Sequence, residues 1–270
     1  MYKFFKQVWT MKFAKKSLGQ NYLIDKNIIN KIINLINLKN KNIIEIGPGL
    51  GALTDVILEN KPKFLSVVEK DFSLSEDLKN KYLKKKNVKV YNSDILKFDL
   101  EKIVSKNSII IGNLPYNISS QILVKILRFK KWPPKFNDLI FMFQKELGKK
   151  IISTYPSSDY GRLSILSNFR LNVFKKFYVS PNCFFPKPKV ISMLIHFKPI
   201  NNKIFNIKKI QNLETVTNVL FSNKRKMINK NIKKILKVDK IKKIDDLKLN
   251  QRPSDIKPEV FYKITELLES

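Results

Sequence analysis

The sequence predicts an α/β protein built on a parallel β-sheet with helices on both faces. From about residue 40, short apolar runs alternate with amphipathic stretches, which is the order that a parallel sheet with crossover helices requires. A glycine-rich turn directly follows the first of these apolar runs. Beyond residue 200 the strand-like runs stop and the sequence becomes basic with helical spacing, which predicts a small C-terminal helical domain.

Five apolar runs are predicted to form the parallel strands. Each run is short and rich in β-branched or aromatic residues, as fully buried strands are. They span residues 42–47, 64–69, 88–94, 108–113 and 138–144. The stretches 51–60 and 73–86 have helical spacing, and Ser73 with Glu76 stands in capping-box register at the start of the second.

The order of elements changes after residue 170. Residues 173–180 and 190–198 have strand character and are separated by a proline-rich loop, so they are predicted to pair antiparallel at the sheet edge. We place a domain boundary near residue 200. Residues 1–200 then form the larger domain, which starts with a basic segment over 1–20, and residues 201–270 form a basic helical domain.

The composition favours a polyanionic partner. The 270 residues include 53 Lys and Arg against 22 Asp and Glu, giving a formal charge of +31. Such an excess suits nucleic acid, because each neutralised phosphate releases counterions. An anionic membrane surface is one alternative, and compositional drift in a sequence rich in Lys, Asn and Ile is another.

Single copies of two reactive residue types limit the possible chemistry. Cys183 is the one cysteine, which excludes an intrachain disulfide and a cysteine zinc cluster. His196 is the one histidine and stands in a strand-like run, so we expect a structural role for it. No apolar run reaches the roughly 18 residues of a membrane span. We expect a cytoplasmic protein, and Met11 is an alternative start that would make residues 1–10 an extension.

The stretch EIGPGLG, residues 45–51, forms the glycine-rich turn after the first predicted strand. Gly47 and Gly49 let the backbone turn tightly and approach a ligand closely. The spacing departs from the dinucleotide fingerprint, which would place a glycine where Ala52 stands. A packing turn without a ligand is the alternative.

Two acidic residues end the next two predicted strands. Glu69 lies about 20 residues beyond the glycine turn, where an acid typically holds ribose hydroxyls. Asp94 follows the third strand and could accept a hydrogen bond from an adenine amino group. Each of them alone fits a solvated strand end, but the turn and both acids in this order predict a nucleoside-shaped pocket.

The fourth predicted strand ends in Asn113-Leu114-Pro115-Tyr116, and we expect this loop to face the same pocket. The amino group of adenine is a poor nucleophile because its lone pair is delocalised into the ring. The Asn113 side-chain oxygen and a backbone carbonyl, that of Leu114 held extended by Pro115, would draw this nitrogen towards tetrahedral geometry. Tyr116 offers a face on which the base can stack. A proline turn with a packed tyrosine is the alternative.

These motifs resemble those of the rRNA adenine N6-dimethyltransferase family, and in particular its small-subunit branch. The matching segments cover nearly the whole chain and keep the family's order. They are KKSLGQNYL (15–23), EIGPGLGALT (45–54), VVEKD (67–71), NSDIL (92–96), GNLPYNIS (112–119), FMFQKEL (141–147), YGRLSIL (160–166) and FFPKPKVIS (184–192).

The resemblance implies a Rossmann-like class I methyltransferase sheet with a C-terminal helical domain, and S-adenosylmethionine as the methyl donor. It implies a catalytic loop of Asn113, Leu114 and Tyr116, and an adenine held between Tyr116 and Phe184. The implied cofactor contacts are Asn21, Leu23, Gly47, Gly49, Glu69, Asp94 and Asn113.

The implied substrate is a pair of adjacent adenines in the 3′-terminal hairpin loop of small-subunit (16S) rRNA, each receiving two methyl groups. The implied partner is the assembling small ribosomal subunit, and we expect a monomer that needs no metal and no membrane. The lysines of FKKWPPK (129–135) and SNKRKMINKNIKK (222–234) are expected to bind RNA phosphates, although for most single lysines a solvated face is the favoured interpretation.

The chain departs from the family pattern at a few positions. Ser17-Leu18 replace a basic and aromatic pair, Lys187 interrupts a proline run, and Ser120 stands where threonine is frequent. None of these changes removes a chemical role.

Two other functions fit the same motifs. One is methylation of large-subunit rRNA by the resistance branch, which Pro48 disfavours. The other is a non-catalytic, nucleic-acid-binding transcription factor of the same descent, which the intact Asn113 and Glu69 disfavour. NAD-dependent chemistry is disfavoured by Ala52 and by the Asn-Leu-Pro-Tyr loop.

Overall fold

The structure is a computed structural model that describes residues 18–270. Ser17, Met11, the extension 1–10 and most of the basic segment 1–20 lie outside the described residues. The strands are β1 Tyr22–Leu23, β2 Asn42–Ile46, β3 Phe64–Glu69, β4 Val88–Asn92, β5 Ser108–Asn113, β6 Phe136–Gln144, β7 Leu171–Val179, β8 Phe184–Phe185 and β9 Ser192–Pro199.

The helices include several long ones and three of a single turn. They are α1 Lys26–Ile33, α2 Ala52–Glu59, α3 Phe72–Lys81, α4 Leu100–Ile103, α5 Ser119–Leu127, α6 Lys145–Ile152, α7 Arg162–Arg170, α8 Ile210–Phe221, α9 Asn229–Ile232, α10 Val238–Ile241 and α11 Pro258–Glu269.

A seven-stranded sheet carries the fold, with the strand order β4-β3-β2-β5-β6-β9-β7. The strands from β2 to β6 pair parallel, and β9 pairs antiparallel with β6. This confirms the α/β class, and it confirms that β7 and β9 are neighbours at one edge. A separate two-stranded sheet joins β1 to β8 in antiparallel register.

The inner parallel strands β2, β3, β5 and β6 are buried because helices cover the sheet, whereas the edge strand β4 has no buried residue. Ile43 of β2 and Ile110 of β5 point to opposite faces of neighbouring strands, and both are at most 1% exposed. This burial on both faces explains why the strands read as continuous apolar runs rather than as alternating patterns.

The start of α3 differs from the prediction. The helix spans Phe72–Lys81 rather than 73–86, and its N-cap is Asp71, whose side chain accepts a hydrogen bond from the Ser73 backbone N–H. The predicted capping box of Ser73 and Glu76 is therefore wrong. Asp71 caps better because its carboxylate is short and negatively charged at the positive end of the helix.

The described chain forms two compact units. The first contains residues up to 125, 134–145 and 173–198, and it holds the whole parallel sheet through β6. The second contains 126–133, 146–172 and 199–270. The domain boundary near residue 200 stays a prediction. Each of the two units contains several segments that alternate along the chain.

The second unit has its own apolar core. Its two longest helices, α8 and α11, contribute the stacked rings of Phe221 and Phe261, with centroids 5.6 Å apart. The buried guanidinium of Arg170 donates to the backbone carbonyls of Leu127 and Phe129 and lies over the Trp132 ring. This apolar core and these hydrogen bonds stabilise the unit to which the basic C-terminal segment belongs.

One further expectation concerns His196. His196 is 1% exposed and bonds through Nε2 to Asp138 on β6 at 2.7 Å, which fits a structural role. Over residues 18–270, no helix is long and apolar enough to cross a bilayer. The same residues contain no cluster of histidine, cysteine, aspartate and glutamate suited to a metal ion.

Candidate active site

A cleft opens at the carboxyl ends of β2, β3 and β5, within the first unit. Ligand sites in parallel α/β sheets form at this edge because the loops that follow the strands converge there. The lining combines the β1 segment, the glycine turn and the loop after β5. Of the residues predicted for the site, those that line it are Asn21, Leu23, Gly47, Gly49, Glu69, Asn113 and Leu114.

The glycine turn lies directly under the β1 strand. Gly49 has φ +57°, and a Cβ added there would meet the Tyr22 ring at 2.7 Å. Only glycine combines this left-handed backbone with such close contact to a side chain. Gly47 and Gly49 line the cleft, while Tyr22 of β1 packs against the backbone of the turn.

Glu69 ends β3 against this turn. One carboxylate oxygen accepts from the Gly49 N–H at 3.2 Å, and the other accepts from the Asp71 N–H at 2.8 Å. Burial raises the pKa of Glu69, although these backbone bonds oppose the shift. Each oxygen keeps a second lone pair, so the side chain can still accept from a ligand hydroxyl.

Asp94 lies beside the cleft rather than in its lining, which its neighbours Ser93 and Ile95 form. Its carboxylate accepts from Lys70 Nζ at 2.8 Å and from the Leu96 N–H at 2.9 Å. The hydrogen bond to Lys70 holds the pKa of Asp94 below its ordinary value, so the group is ionised at neutral pH. A contact from Asp94 to an adenine amino group stays a prediction, and it requires the Asp94 carboxylate to turn towards the cleft.

Asn113 points into the cleft and its orientation is fixed. Its Nδ2 donates to the backbone carbonyl of Asn21 at 2.8 Å, so Oδ1 is the atom of the amide that remains available as an acceptor. Asn21 lies in the β1 segment, far from Asn113 in sequence. The interaction places the carboxamide between the glycine turn and the loop that follows β5.

Leu114 and Pro115 continue the lining, and Leu114 is 2% exposed. The carbonyl of Pro115 accepts from the Ile118 N–H, and that of Tyr116 accepts from the Ser119 hydroxyl. These two bonds start α5 and hold the loop in a tight turn. The proline also keeps Leu114 extended, which favours a carbonyl directed away from the turn.

Tyr116 is half-buried and anchored at its far end. Its hydroxyl and the Ser192 Oγ of β9 lie 2.5 Å apart, and Ser192 is fully buried. Burial raises the pKa of Tyr116, so the phenol stays protonated. No sequence pattern singles out Ser192, because a serine at the start of a strand has many possible partners.

Phe184 does not stand beside Tyr116 as an exposed ring. It is 2% exposed in the apolar core and lies opposite Leu23 in the β1–β8 pair. Its neighbour Phe185 is 40% exposed. The stacking role of Phe184 stays a prediction, and it needs the ring to be uncovered when a base binds.

Glu45 is a lining residue that the sequence did not mark as functional. It is 1% exposed on β2, and its carboxylate accepts from the Thr54 hydroxyl at 2.6 Å. Burial raises its pKa to about 8, with the charges of Asp55 and Glu69 adding to the shift. The apolar run around Glu45 predicts a buried strand and does not by itself indicate a functional residue. A charged residue inside such a run is nevertheless unusual.

Another group of polar residues joins β1 to the start of α3. The Tyr22 hydroxyl donates to Gln20 Oε1 at 2.8 Å, and Gln20 Nε2 donates to Asp71 at 3.2 Å. Asp71 in turn caps α3 and bonds through its N–H to Glu69. Four residues from two segments, 20–22 and 69–71, thus fix one wall of the cleft.

Comparisons with known proteins agree with this architecture. The family model described as "Ribosomal RNA adenine dimethylase" matches residues 11–270. A "Ribosomal RNA small subunit methyltransferase A" of Pelagibacter ubique is 44% identical over 262 residues, covering 95% of this chain and 97% of the relative. A protein of the same description from Francisella tularensis subsp. novicida is 42% identical over 232 residues, covering 84% of this chain and 87% of the relative.

Two solved structures have the same fold. A dimethyladenosine transferase from Plasmodium falciparum aligns with a TM-score of 0.72 at 23% identity, covering 90% of this chain and 95% of its own. The 23S rRNA methyltransferase ErmE aligns with a TM-score of 0.67 at 21% identity, covering 93% of this chain and all of its own. The sheet is therefore that of a class I methyltransferase, and the family match over nearly the whole sequence shows that the chain belongs to the ribosomal RNA adenine dimethylase family.

Proposed function

We propose that the protein transfers methyl groups from S-adenosylmethionine to the N6 atoms of two adjacent adenosines in the 3′-terminal hairpin loop of small-subunit rRNA, dimethylating each during maturation of the subunit. The observation that carries the proposal is the Asn113 carboxamide, held by the Asn21 carbonyl beside the glycine turn in a chain of this family. The named activity of the relatives that match over most of the chain supports the same substrate.

The lining of the cleft fits a cationic nucleoside. Glu45 and Glu69 are buried carboxylates that face the cleft from neighbouring strands, and burial raises the pKa of both groups. A positive charge placed in the cleft would relieve this penalty, because it favours the ionised forms. Asn21, Leu23, Glu69 and the glycine turn would hold the cofactor, which when bound supplies a methyl group already activated on a sulfonium.

The chain's own contribution to the reaction is positioning and polarisation. Asn113 Oδ1 accepts from one N–H of the adenine amino group, and the Leu114 carbonyl accepts from the other. Both interactions strengthen as the nitrogen becomes tetrahedral and positively charged, so they stabilise the transition state more than the bound substrate. After methyl transfer the nitrogen is positively charged and strongly acidic, so it releases its extra proton to water and the cleft needs no histidine as a base.

The Tyr116 ring supports the target base. The Ser192 bond fixes the phenol end of the ring, so one face can stay directed at the incoming adenine without a loss of side-chain entropy on binding. The base must leave its stack to reach this position, and a hairpin loop makes that less costly than a helix.

RNA outside the loop is bound by basic segments. The stretch 222–234 carries six exposed cations on the second unit, which are Lys224, Arg225, Lys226, Lys230, Lys233 and Lys234. We place these lysines and arginine against phosphates. The same proposal includes a cytoplasmic location and a monomeric state. Light scattering on the purified protein would test the monomeric state.

Mass spectrometry of ribosomal RNA tests the function directly. Small-subunit and large-subunit RNA from cells with and without the protein would be digested to nucleosides and to loop-sized fragments. The expected result is loss of two dimethyladenosines from the 3′ region of small-subunit RNA when the protein is removed. Loss from large-subunit RNA would reassign the substrate, and unchanged RNA would overturn the proposal.

A further inference from the structure

The edge strand β7 presents aromatic rings and lysines together. We call this group the β7 edge surface, and it belongs entirely to the first unit. β7 is the last strand in the sheet order, so one side of its backbone has no partner strand among the described residues. The residues of the surface are Lys31, Lys145, Phe174, Lys175, Lys176, Phe177, Tyr178 and Lys198.

The ammonium group of a lysine lies over each of the three rings on β7, and each of these lysines comes from a different element. Lys198 of β9 lies 4.2 Å from the centroid of Phe174, and Lys31 of α1 lies 4.3 Å from that of Phe177. Lys145 lies 5.3 Å from the centroid of Tyr178. Attraction to the face of a ring restricts an ammonium that would otherwise move freely. Because side chains alternate along a strand, Phe174 and Tyr178 share one face and Phe177 lies on the other, so positioned cations flank the edge on both faces.

The positive charge of this surface is not neutralised locally. Across residues 18–270, the lysines of the surface form no salt bridge with a carboxylate. In contrast, Lys70, Lys79 and Lys81 elsewhere in the first unit all have carboxylate partners. Lys31, Lys175, Lys176 and Lys198 are also exposed, which leaves them available to a polyanion.

Protection of the sheet edge does not explain the whole surface. Lysines on an edge strand prevent pairing with the edge of another molecule, and Lys175 and Lys176 serve that purpose. However, Phe174 and Tyr178 are 50% and 54% exposed on the same strand. Exposed rings would favour association rather than oppose it, whereas exposed rings between cations are what unpaired nucleic acid bases require.

The surface is connected to the proposed catalytic cleft through the backbone. The strand β7 leads through residues 180–183 into β8, which pairs with β1 in the wall of the cleft. The Ile24 N–H also donates to the Cys183 carbonyl at 2.9 Å. The end of β7 is therefore separated by only a short connection from the strand pair that includes β1.

We propose that the β7 edge surface binds the substrate RNA outside the target loop, with its lysines on phosphates and with Phe174 and Tyr178 stacked on unpaired bases. The proposal rests on the proposed function for the identity of the RNA. RNA is favoured over an acidic protein because the ring and cation arrangement matches a strand of bases and phosphates, and the net charge of +31 adds long-range attraction.

The test compares two triple variants with equal loss of charge. The surface variant carries Lys175→Gln, Lys176→Gln and Lys198→Gln. The control carries Lys84→Gln, Lys85→Gln and Lys86→Gln, three exposed lysines beside β4 at the opposite edge of the sheet. The probe is a fluorescent transcript of the 3′-terminal domain of small-subunit rRNA, titrated at several KCl concentrations.

The surface variant is expected to bind the transcript at least roughly tenfold more weakly at moderate salt, with the slope of log affinity against log salt reduced by about 0.7 per lost phosphate contact. The control is expected to change affinity by less than about threefold, with nearly the wild-type slope. Equal losses in the two variants would overturn the proposal, as would a surface variant that binds RNA normally but forms dimers or aggregates.

A second variant tests the rings without altering charge. Phe174→Leu with Tyr178→Leu is expected to weaken RNA binding while leaving the salt slope unchanged, since stacking releases no counterions. Unchanged affinity would overturn the stacking part. S-adenosylmethionine binding, measured by calorimetry, should be the same in all variants. A wild-type protein that binds this RNA but methylates no RNA would refute the proposed function and leave this surface standing.

Discussion

Asn113 is the side chain on which the proposed chemistry depends at the scale of single residues. Replacing it by alanine removes the acceptor for the adenine amino group and also the bond to the Asn21 carbonyl. We expect Asn113→Ala to lower the rate of methyl transfer by at least about 100-fold, because the oriented acceptor acts mainly in the transition state. Transfer of tritiated methyl groups to unmodified small-subunit RNA measures this.

S-adenosylmethionine binding by the same variant is expected to survive in part, because Glu69 and the glycine turn remain. Asn137→Ala is the control, since Asn137 is an exposed asparagine on β6 that bonds only to Asn107 among the described residues. A normal turnover number for Asn113→Ala would contradict the mechanism.

Glu45 gives the apo protein a pH-dependent stability. Its folded-state pKa of about 8 lies above the ordinary value of 4.5, so the native protein keeps a proton that the unfolded chain releases between these limits. The free energy of unfolding therefore falls as pH rises through this window, by about 1.4 kcal/mol for each pKa unit. Glu45→Gln removes the ionisable group while it can still accept from Thr54.

Chemical denaturation at pH 5 and pH 8 checks this expectation. The stability advantage of Glu45→Gln over the wild type should be small at pH 5 and amount to several kcal/mol at pH 8. Glu59→Gln, the same change at an exposed position of α2, keeps Glu45 and should therefore keep the wild-type pH profile. Parallel pH profiles for all three proteins would rule out the buried carboxyl as the cause.

Two substitutions at Phe184 can distinguish a role in core packing from a role in stacking on the target base. Because the ring is buried, Phe184→Ala should lower the free energy of unfolding by about 3–5 kcal/mol, and its activity would say little about the base. Phe184→Leu keeps most of the apolar volume and removes the aromatic face. If the ring stacks on adenine, Phe184→Leu should lose methyl transfer while melting within a few degrees of the wild type. Full activity of the leucine variant would exclude a stacking role.

Residue identities in the site could be predicted only where the chemistry leaves a pattern in the sequence. Asn113, Glu69 and the glycines stand at strand ends next to turn residues, which is visible without coordinates. Ser192 and Glu45 carry no such pattern, because their importance comes from a partner on another strand or from burial. The engagement of Asp94 by Lys70 is also a matter of side-chain geometry that no spacing encodes.

At the scale of elements, the glycine turn and the β1 strand fit one another closely. Gly49→Ala would force a left-handed alanine and drive its Cβ against the Tyr22 ring. We expect a loss of about 1–3 kcal/mol of stability, from backbone strain and displaced β1, together with weaker S-adenosylmethionine binding. Denaturant titration and calorimetry measure the two effects.

Gly161→Ala is the matched control for this element. Gly161 has an extended backbone that any residue adopts, and the nearest atom to an added Cβ lies 3.9 Å away. The control should be neutral or slightly stabilising, because alanine restricts the unfolded chain. Equal destabilisation by both alanines would mean that the contact with Tyr22 has no special cost.

The types of the elements could be predicted from the sequence. The residues at which an element starts and ends could not, because several neighbouring residues suit the same terminal position. The five parallel strands follow from apolar runs that no amphipathic helix would contain. The start of α3 was misplaced because Asp71, Ser73 and Glu76 all suit a helix N-terminus, and the choice among them depends on where β3 stops. The two-residue strands β1 and β8 are too short to leave a periodic signal.

At the scale of the whole molecule, we expect the charge of +31 to affect RNA binding more than cofactor binding. Raising KCl from 50 to 200 mM should lower affinity for small-subunit RNA by on the order of 100-fold or more, if several phosphates are contacted. Affinity for S-adenosylmethionine should change by no more than about twofold, because its charges are met by buried groups that salt screens weakly. Fluorescence anisotropy and calorimetry on one preparation compare the two; similar salt dependence would contradict the expectation.

The organisation into units was only partly visible in the sequence. The change of texture near residue 200 marks the start of the last segment of the second unit. The segments 126–133 and 146–172 belong to the same unit although strands of the first unit lie between them in the chain. Contacts between distant segments produce this arrangement, and a reading along the chain detects changes in composition rather than contacts.

The bond between Asn21 and Asn113 has a consequence for the order of synthesis. The carbonyl leaves the ribosome long before the carboxamide does, and β1 gains its partner strand only when Phe184 and Phe185 have followed. A growing chain that already contains the glycine turn, Glu69 and Asn113 therefore has the Asn21 carbonyl but still lacks β8, which pairs with the segment that carries it. We expect the cleft to be complete only after Phe185 has left the ribosome.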